Sequence, residues 1–173
     1  MELATPLSSR TLENLRCGQE VFLTGVVYTA RDQAHVRLAA ALRRGAKLPF
    51  ELKGSIIYYC GPTGTPKGKV IGSCGPTTSR RMDALTPLLL SKGVAAMIGK
   101  GNRSSEVRRA IKRHKAVYFV ACAGCGALIS TYVQEASVVA FNNLGPEAVQ
   151  RLRVERLPLV VAIDSRGKSV YKD

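Results

Sequence analysis

The chain has 173 residues, 46% of them hydrophobic and 22% charged, enough for one domain with a substantial core and an ordinary globular composition. No apolar run approaches the ~20 residues a spanning helix needs. The stretch MELATPLSSRTLENL lacks a basic region followed by an apolar block, so no membrane or secretory route is expected and the expected location is cytoplasmic. Lysine and arginine number 26 against 12 acidic residues, and the net charge of +14 draws anionic partners: a small dicarboxylate, an acidic protein surface or nucleic acid. With 6% aromatic residues, no Trp and no RNP-like or zinc-finger pattern, nucleic acid is the least expected of these.

In chain order, residues 1–19 read as a mostly polar lead-in with one helical turn around Thr11 to Leu15. Glu20 to Tyr28 is a strand rich in Val, Phe and Leu, interrupted at Gly25. Ala34, Leu38, Ala41 and Leu42 then recur at helical spacing, with Asp32 at the start, where a carboxylate suits the dipole, and Gly45 as the stop. Arg31 therefore sits where a strand gives way to a helix, a usual place for a ligand-facing side chain in an α/β protein. Ser55 to Cys60 and Lys69 to Cys74 read as strands joined by the Gly/Pro/Lys-rich loop Gly61 to Gly68. A helix is expected from Thr77 to about Lys92, kinked or shortened by Pro87 and stopped by Gly93.

Val94 to Ile98 is a short buried strand, followed by the Gly99-Lys100-Gly101-Asn102 loop and a helix from Ser104 or Ser105 carrying Val107, Ala110 and Ile111. Ala116 to Ala121 is a further strand, Gly126 to Val133 a helix rather than a strand, and Ser137 to Phe141 a short strand. Pro146 to Leu152 reads as one or two helical turns. Pro158 to Asp164 and Ser169 to Tyr171 form a terminal hairpin around Arg166-Gly167. The alternation predicts a single α/β domain over residues 1–173, with a central mixed, partly parallel sheet flanked by helices. The basic cluster Arg103 to Lys115 reads as the solvated face of a helix.

Five cysteines, an odd number without a signal, argue against a disulfide framework. Cys122-Ala-Gly-Cys125 has redox or metal spacing, but no second such pair and no nearby histidine accompany it, so buried thiols near a strand end are expected. His35 and His114 read as structural or solvated.

The chemistry concentrates in GPTGTPKGKVIGSCGPTTSRRM, Gly61 to Met82. Two Gly-Pro pairs each follow a short apolar run and should end strands abruptly. Thr77, Thr78 and Ser79 suit a helix start, which would set free backbone amides beside Arg80 and Arg81 as a carboxylate or phosphate site. From the residues alone, an ordinary strand-to-helix connection with solvated arginines is the default reading.

The run GPTTSRRMD resembles the GPTT-x-x-RMD motif of the class I, iron-sulfur fumarases and the related L-tartrate dehydratases, in their C-terminal domain or separate beta subunit. TARDQAH at 29–35, IYYCGPTGTP at 57–66, IGKGNR at 98–103 and VAIDSRGKSVY at 161–171 carry the resemblance over nearly the whole chain. It departs at ACAGCGAL, 121–128, where the family is richer in glycine, and at Leu157-Pro158-Leu159, where it is more aromatic. The resemblance implies a swivelling β/β/α domain. It also implies that Arg31 and Arg81 match the substrate-binding arginines, that Thr78 and Lys100 contact substrate, and that Thr77 matches the catalytic base, helped by an acidic residue on the other domain. Arg80 falls at a variable position.

The family's 4Fe-4S cluster is held by three cysteines of the other domain, so none of Cys17, Cys60, Cys74, Cys122 and Cys125 is expected to bind metal. The resemblance thus implies the beta subunit of a two-subunit fumarate hydratase, completed by a cluster-bearing alpha subunit in a dimer of alpha-beta pairs. The alternatives are the beta subunit of L-tartrate dehydratase and a non-catalytic basic binding module.

Overall fold

A closed ring of strands organises the chain in the computed structural model, which describes residues 1–171. Strand β2 (Glu20–Thr29) pairs along one edge with the long antiparallel β7 (Val149–Ile163), from Glu20 opposite Val160 to Tyr28 opposite Arg151. Along its other edge it takes β1 (Glu2–Ala4) and then β3 (Ile56–Tyr58), both parallel. Parallel strands β4 (Ala96–Gly99) and β5 (Val117–Val120) continue from β3, and β5 returns to the C-terminal half of β7, closing the ring β2-β3-β4-β5-β7. Strand β6 (Val133–Ala140) hangs on the N-terminal half of β7. The register shifts between Leu23 and Gly25 of β2, opposite Arg156 at φ 51°, and this bulge bends β7 between its two duties.

Side-chain alternation separates two cores. Ile56, Tyr58, Ile98, Val117, Phe119, Leu157 and Val161 face inward with the short helices α1 (Ser9–Asn14) and α5 (Gly126–Ser130) closing the ring. Ile57, Tyr59, Met97, Tyr118 and Ala162 face outward under helices α2 (Asp32–Arg43), α3 (Thr86–Ser91) and α4 (Ser105–His114). Burial on both faces is why β3, β4 and β5 read as unbroken apolar runs.

Several sequence expectations are corrected. Residues 1–19 are part of the core rather than a polar lead-in: Leu3, Leu7, Leu12 and Leu15 are buried, and the Ser8 hydroxyl caps α1 by accepting from the Thr11 amide. Lys69 to Cys74 is an irregular segment, because Thr63 N donates to the Ser73 carbonyl at 3.0 Å and occupies the backbone that a strand would use. Thr77 to Lys92 is not one helix. Thr77 and Thr78 are non-helical, a single 3₁₀ turn spans Ser79–Met82, and α3 begins only at Thr86, with Pro87 in its first turn, where a missing amide costs nothing. The Pro146 to Leu152 helix is replaced by a 3₁₀ turn at Asn142–Glu147 and the start of β7.

The terminal hairpin is reduced to one bridge, Ile163 opposite Ser169, around a turn at Gly167. Pro158 lies inside β7, between the stretch that pairs with β6 and the stretch that pairs with β5, so its missing amide breaks neither ladder. Among the described residues no helix is long and apolar enough to cross a membrane.

Candidate active site

Strands β2, β3 and β4 run parallel, so their C-terminal ends share one rim. Arg31 follows β2, Gly61 lies just past β3 and Lys100 follows β4. The segment Pro76 to Ser79 is laid across this rim. Pro76 bridges Cys60, Thr77 N donates to the Tyr59 carbonyl at 2.7 Å, and Thr78 bridges Lys100. Ser79 N donates to the Lys100 carbonyl at 3.0 Å, while Lys100 N donates to Ser79 Oγ at 3.1 Å. Ser79 is buried, its hydroxyl 2.9 Å from that of Tyr118, and a methyl at Gly99 would overlap it.

These bonds correct the expected anion cradle. The amides of Thr77 and Ser79 are spent on the ends of β3 and β4, and Thr78 makes no side-chain cap, so no open helix start is presented. Charge recognition on this rim falls to side chains.

Asp32 organises those side chains. Arg81 grips its carboxylate with two bonds, Nε to Oδ1 at 3.0 Å and Nη2 to Oδ2 at 2.8 Å, and Arg31 Nε donates to Oδ2 at 3.1 Å. Partial burial works to raise the Asp32 pKa, but hydrogen bonds from Arg81 and Arg31 overcome it and hold the carboxyl below its ordinary range. Glu147 lies 3.8 Å from Arg31 Nε, and its other oxygen accepts from the Gln33 amide at 2.7 Å, satisfying the start of α2. Gly61 makes room for Arg31: a Cβ there would stand 2.9 Å from the Pro146 carbonyl and 3.0 Å from Arg31 Cδ and Nη1.

The rim is held from below by a charged group that the sequence reading put in solvent. Arg103 is 3% exposed. Its Nε donates to Asp83 Oδ1 at 2.7 Å and its Nη2 to Thr86 Oγ1 at 2.8 Å, and its guanidinium lies 5.2 Å from the Tyr59 ring centroid and 5.0 Å from that of Tyr118. Asp83 also accepts from the Ser104 amide at 2.6 Å, so the RMD and GNR motifs are parts of one buried knot. The motif pairing was the available signal, hidden by the run of basic residues that follows.

His35 is structural, as expected, and buried. Its Nδ1 is 3.1 Å from the Arg31 carbonyl, its ring meets Tyr59 edge-on, and Nε2 is buried without a hydrogen-bond partner. Burial pushes its pKa down to about 4, so the ring is neutral with Nδ1–H as donor.

The structure therefore brings Arg31 and Arg81 together through Asp32, and sets Thr77 on the end of β3 and Thr78 beside Lys100. The cysteines differ from expectation: Cys60 and Cys74 are buried, but Cys122 is exposed and Cys125 half-buried. Among the described residues no three His, Cys, Asp or Glu side chains gather as a metal site, so the three-thiolate set a 4Fe-4S cluster requires does not fit this chain.

Comparison with known proteins extends the local resemblance. A family described as Fumarase C-terminus matches residues 1–173. A candidate L(+)-tartrate dehydratase subunit beta of Methanocaldococcus jannaschii is 39% identical, over 96% of this chain and 89% of that protein. The L(+)-tartrate dehydratase subunit beta of Escherichia coli K12 is 34% identical, over 99% of this chain and 86% of its own. Fumarate hydratase 2 of Leishmania major is 35% identical over 99% of this chain, which spans only 31% of that longer protein. Fumarate hydratase and tartrate dehydratase are both hydro-lyases. With the match running over its whole length and these relatives agreeing, the chain belongs to the Fumarase C-terminus family.

Proposed function

We propose that this chain is the beta subunit of a two-subunit class I fumarate hydratase, interconverting fumarate plus water with (S)-malate. The observation that carries the reading is the Asp32-linked pair Arg31 and Arg81 on the rim that also bears Thr77 and Lys100. A C4 diacid presents two carboxylates, and guanidinium groups match them in planar, paired bonds. Asp32 engages Nε of Arg31 and so fixes its guanidinium on the rim. Lys100 and Thr78, bridged on the adjacent strand end, add a cation and a hydroxyl. The Thr77 hydroxyl removes the C–H proton and must hand it on, since a neutral alcohol is a poor base at neutral pH. An acidic residue of the partner subunit fills that role.

Departure of the substrate hydroxyl needs a Lewis acid, the chemistry a 4Fe-4S cluster supplies when bound. The cysteines here do not fit that group, so it belongs to a docked alpha subunit, in a dimer of alpha-beta pairs. The swivelling β/β/α architecture is part of the same proposal, supported by a rim open to solvent against which a second subunit can close.

L-tartrate dehydration is the second reading, favoured by one fact: the Methanocaldococcus jannaschii and Escherichia coli relatives, which match along most of their own length, carry that name. One hydroxyl separates the substrates. Assay of the reconstituted pair with malate and with tartrate decides, kcat/KM being expected to favour malate. Replacing Thr77 by Ala should abolish turnover with the melting temperature unchanged; retained turnover removes the base. Salt-sensitive nucleic-acid binding with no dehydratase activity beside any alpha subunit would instead leave a basic binding module.

A further inference from the structure

The hydratase reading leaves Cys122-Ala-Gly-Cys125 unused. Strand β5 ends at Val120, and the chain crosses to α5 between two anchors. Ala121 N donates to the Gly99 carbonyl at 3.0 Å, and the Gly126 carbonyl accepts from Cys74 N at 3.1 Å. Residues Cys122, Ala123 and Gly124 between them are exposed, and Gly124 adopts φ 79°. The two Sγ atoms stand 3.3 Å apart, with Cys122 toward solvent.

We propose that Cys122 and Cys125 are a reversible dithiol-disulfide site for low-molecular-weight disulfides, mechanically coupled to the segment that carries Thr77. The exposed Cys122 thiolate attacks a sulfur of the oxidant, whose S–S bond breaks to give a mixed disulfide and one thiol. The Cys125 thiolate then attacks Cys122 Sγ, forming the internal S–S bond and expelling the second thiol. Two electrons and two protons pass from the pair to the oxidant, which leaves as two thiols. Closure shortens the sulfur separation from 3.3 Å to ~2.05 Å, a movement the exposed loop can absorb. Cys122 is the exposed member of the pair and so attacks first, while the hydrogen bond to Cys122 raises the Cys125 thiol above its ordinary range.

The coupling follows from packing without slack. A Cβ on Gly126 would come 2.8 Å from Gly75 N, and one on Gly75 would come 3.3 Å from Gly126 Cα. Gly75 is joined through Pro76 to Thr77, so a pull on the start of α5 reaches that residue through backbone alone.

The test uses the full chain, needs neither partner nor cluster, and so stands apart from the proposed activity. The folded chain is equilibrated with graded ratios of reduced to oxidised glutathione, alkylated and digested with trypsin, which leaves both cysteines on the one peptide 116–151. That peptide should lose both alkylatable thiols together, with a disulfide-to-dithiol ratio at least ~10-fold higher than in the guanidinium-unfolded chain. A Cys125→Ser chain should stop at the glutathione adduct of Cys122. Amide exchange at Cys74 and Thr77 should differ at least ~10-fold between the reduced and oxidised chains. Two persistent thiols under excess oxidised glutathione, or protection of both by stoichiometric Zn²⁺ without oxidation, would overturn the redox site. A disulfide that leaves amide exchange unchanged would overturn the coupling.

Discussion

Asp32 sits between two cations, one from the residue before it and one from a segment 49 residues on. Its value is orientation, since exposed ion pairs contribute little to stability. Asp32→Asn keeps the shape and removes the charge that aligns Arg31 with Arg81. In the reconstituted enzyme it should raise KM for the diacid about tenfold, ~1.4 kcal/mol of binding, with little change in kcat, and should lower the melting temperature by no more than ~4 °C. His35 makes a second prediction. Its folded pKa of about 4 lies below the unfolded value of 6.5, so the unfolded chain binds the extra proton between these limits. The contribution is thus nearly complete well above pH 6.5 and falls as pH drops toward 4, by about 1–2 kcal/mol between pH 6.5 and 5, since the full ~1.36 kcal/mol per unit is reached only once the unfolded imidazole is mostly protonated. Urea titrations at the two pH values check this, and a His35→Leu chain should lose most of that slope. Arg31, Arg81 and Lys100 were legible because junction positions and a motif mark them. Asp32 was legible only as a dipole complement, since its partner Arg81 comes from a distant segment. Arg103 was misread because in a run of basic residues nothing local tells which one turns inward.

At the scale of elements, strands β3 to β5 could be read because burial on both faces makes their sequences continuously apolar, and β2 by its Val, Phe and Leu content. The failures have a common cause. Where side-chain or backbone bonds from elsewhere claim a segment, local pattern stops predicting its shape. Ser79 and Lys100 pull Thr77 to Met82 into an extended piece and a tight turn, and Thr63 does the same to Ser73. The knot of Asp83, Arg103, Tyr59 and Thr86 holds α3 and α4 to the underside of the rim. Asp83→Ala would strand a buried guanidinium and should cost about 3–5 kcal/mol, measured by chemical denaturation. Because the knot carries the turn that bears Arg81, any folded fraction should also bind the diacid more weakly.

Over the whole molecule, the order of synthesis and the order of pairing are opposed. Until β7 exists, β2 and β5 each present a strand edge with no occupant, and the residues that pair, such as Glu20 and Val160, are distant in the chain. A chain ending before Val149 should therefore be insoluble, whereas one ending after Ser169 should fold, and expression of the two truncations with separation of soluble from pelleted protein tests this. The bulge at Arg156 acquires a further meaning here. By letting a single ribbon serve as hinge pin for both β6 and β5, it makes β7 a keystone. A chain that lacks β7 is not a barrel with a missing stave but an arch still on its scaffolding.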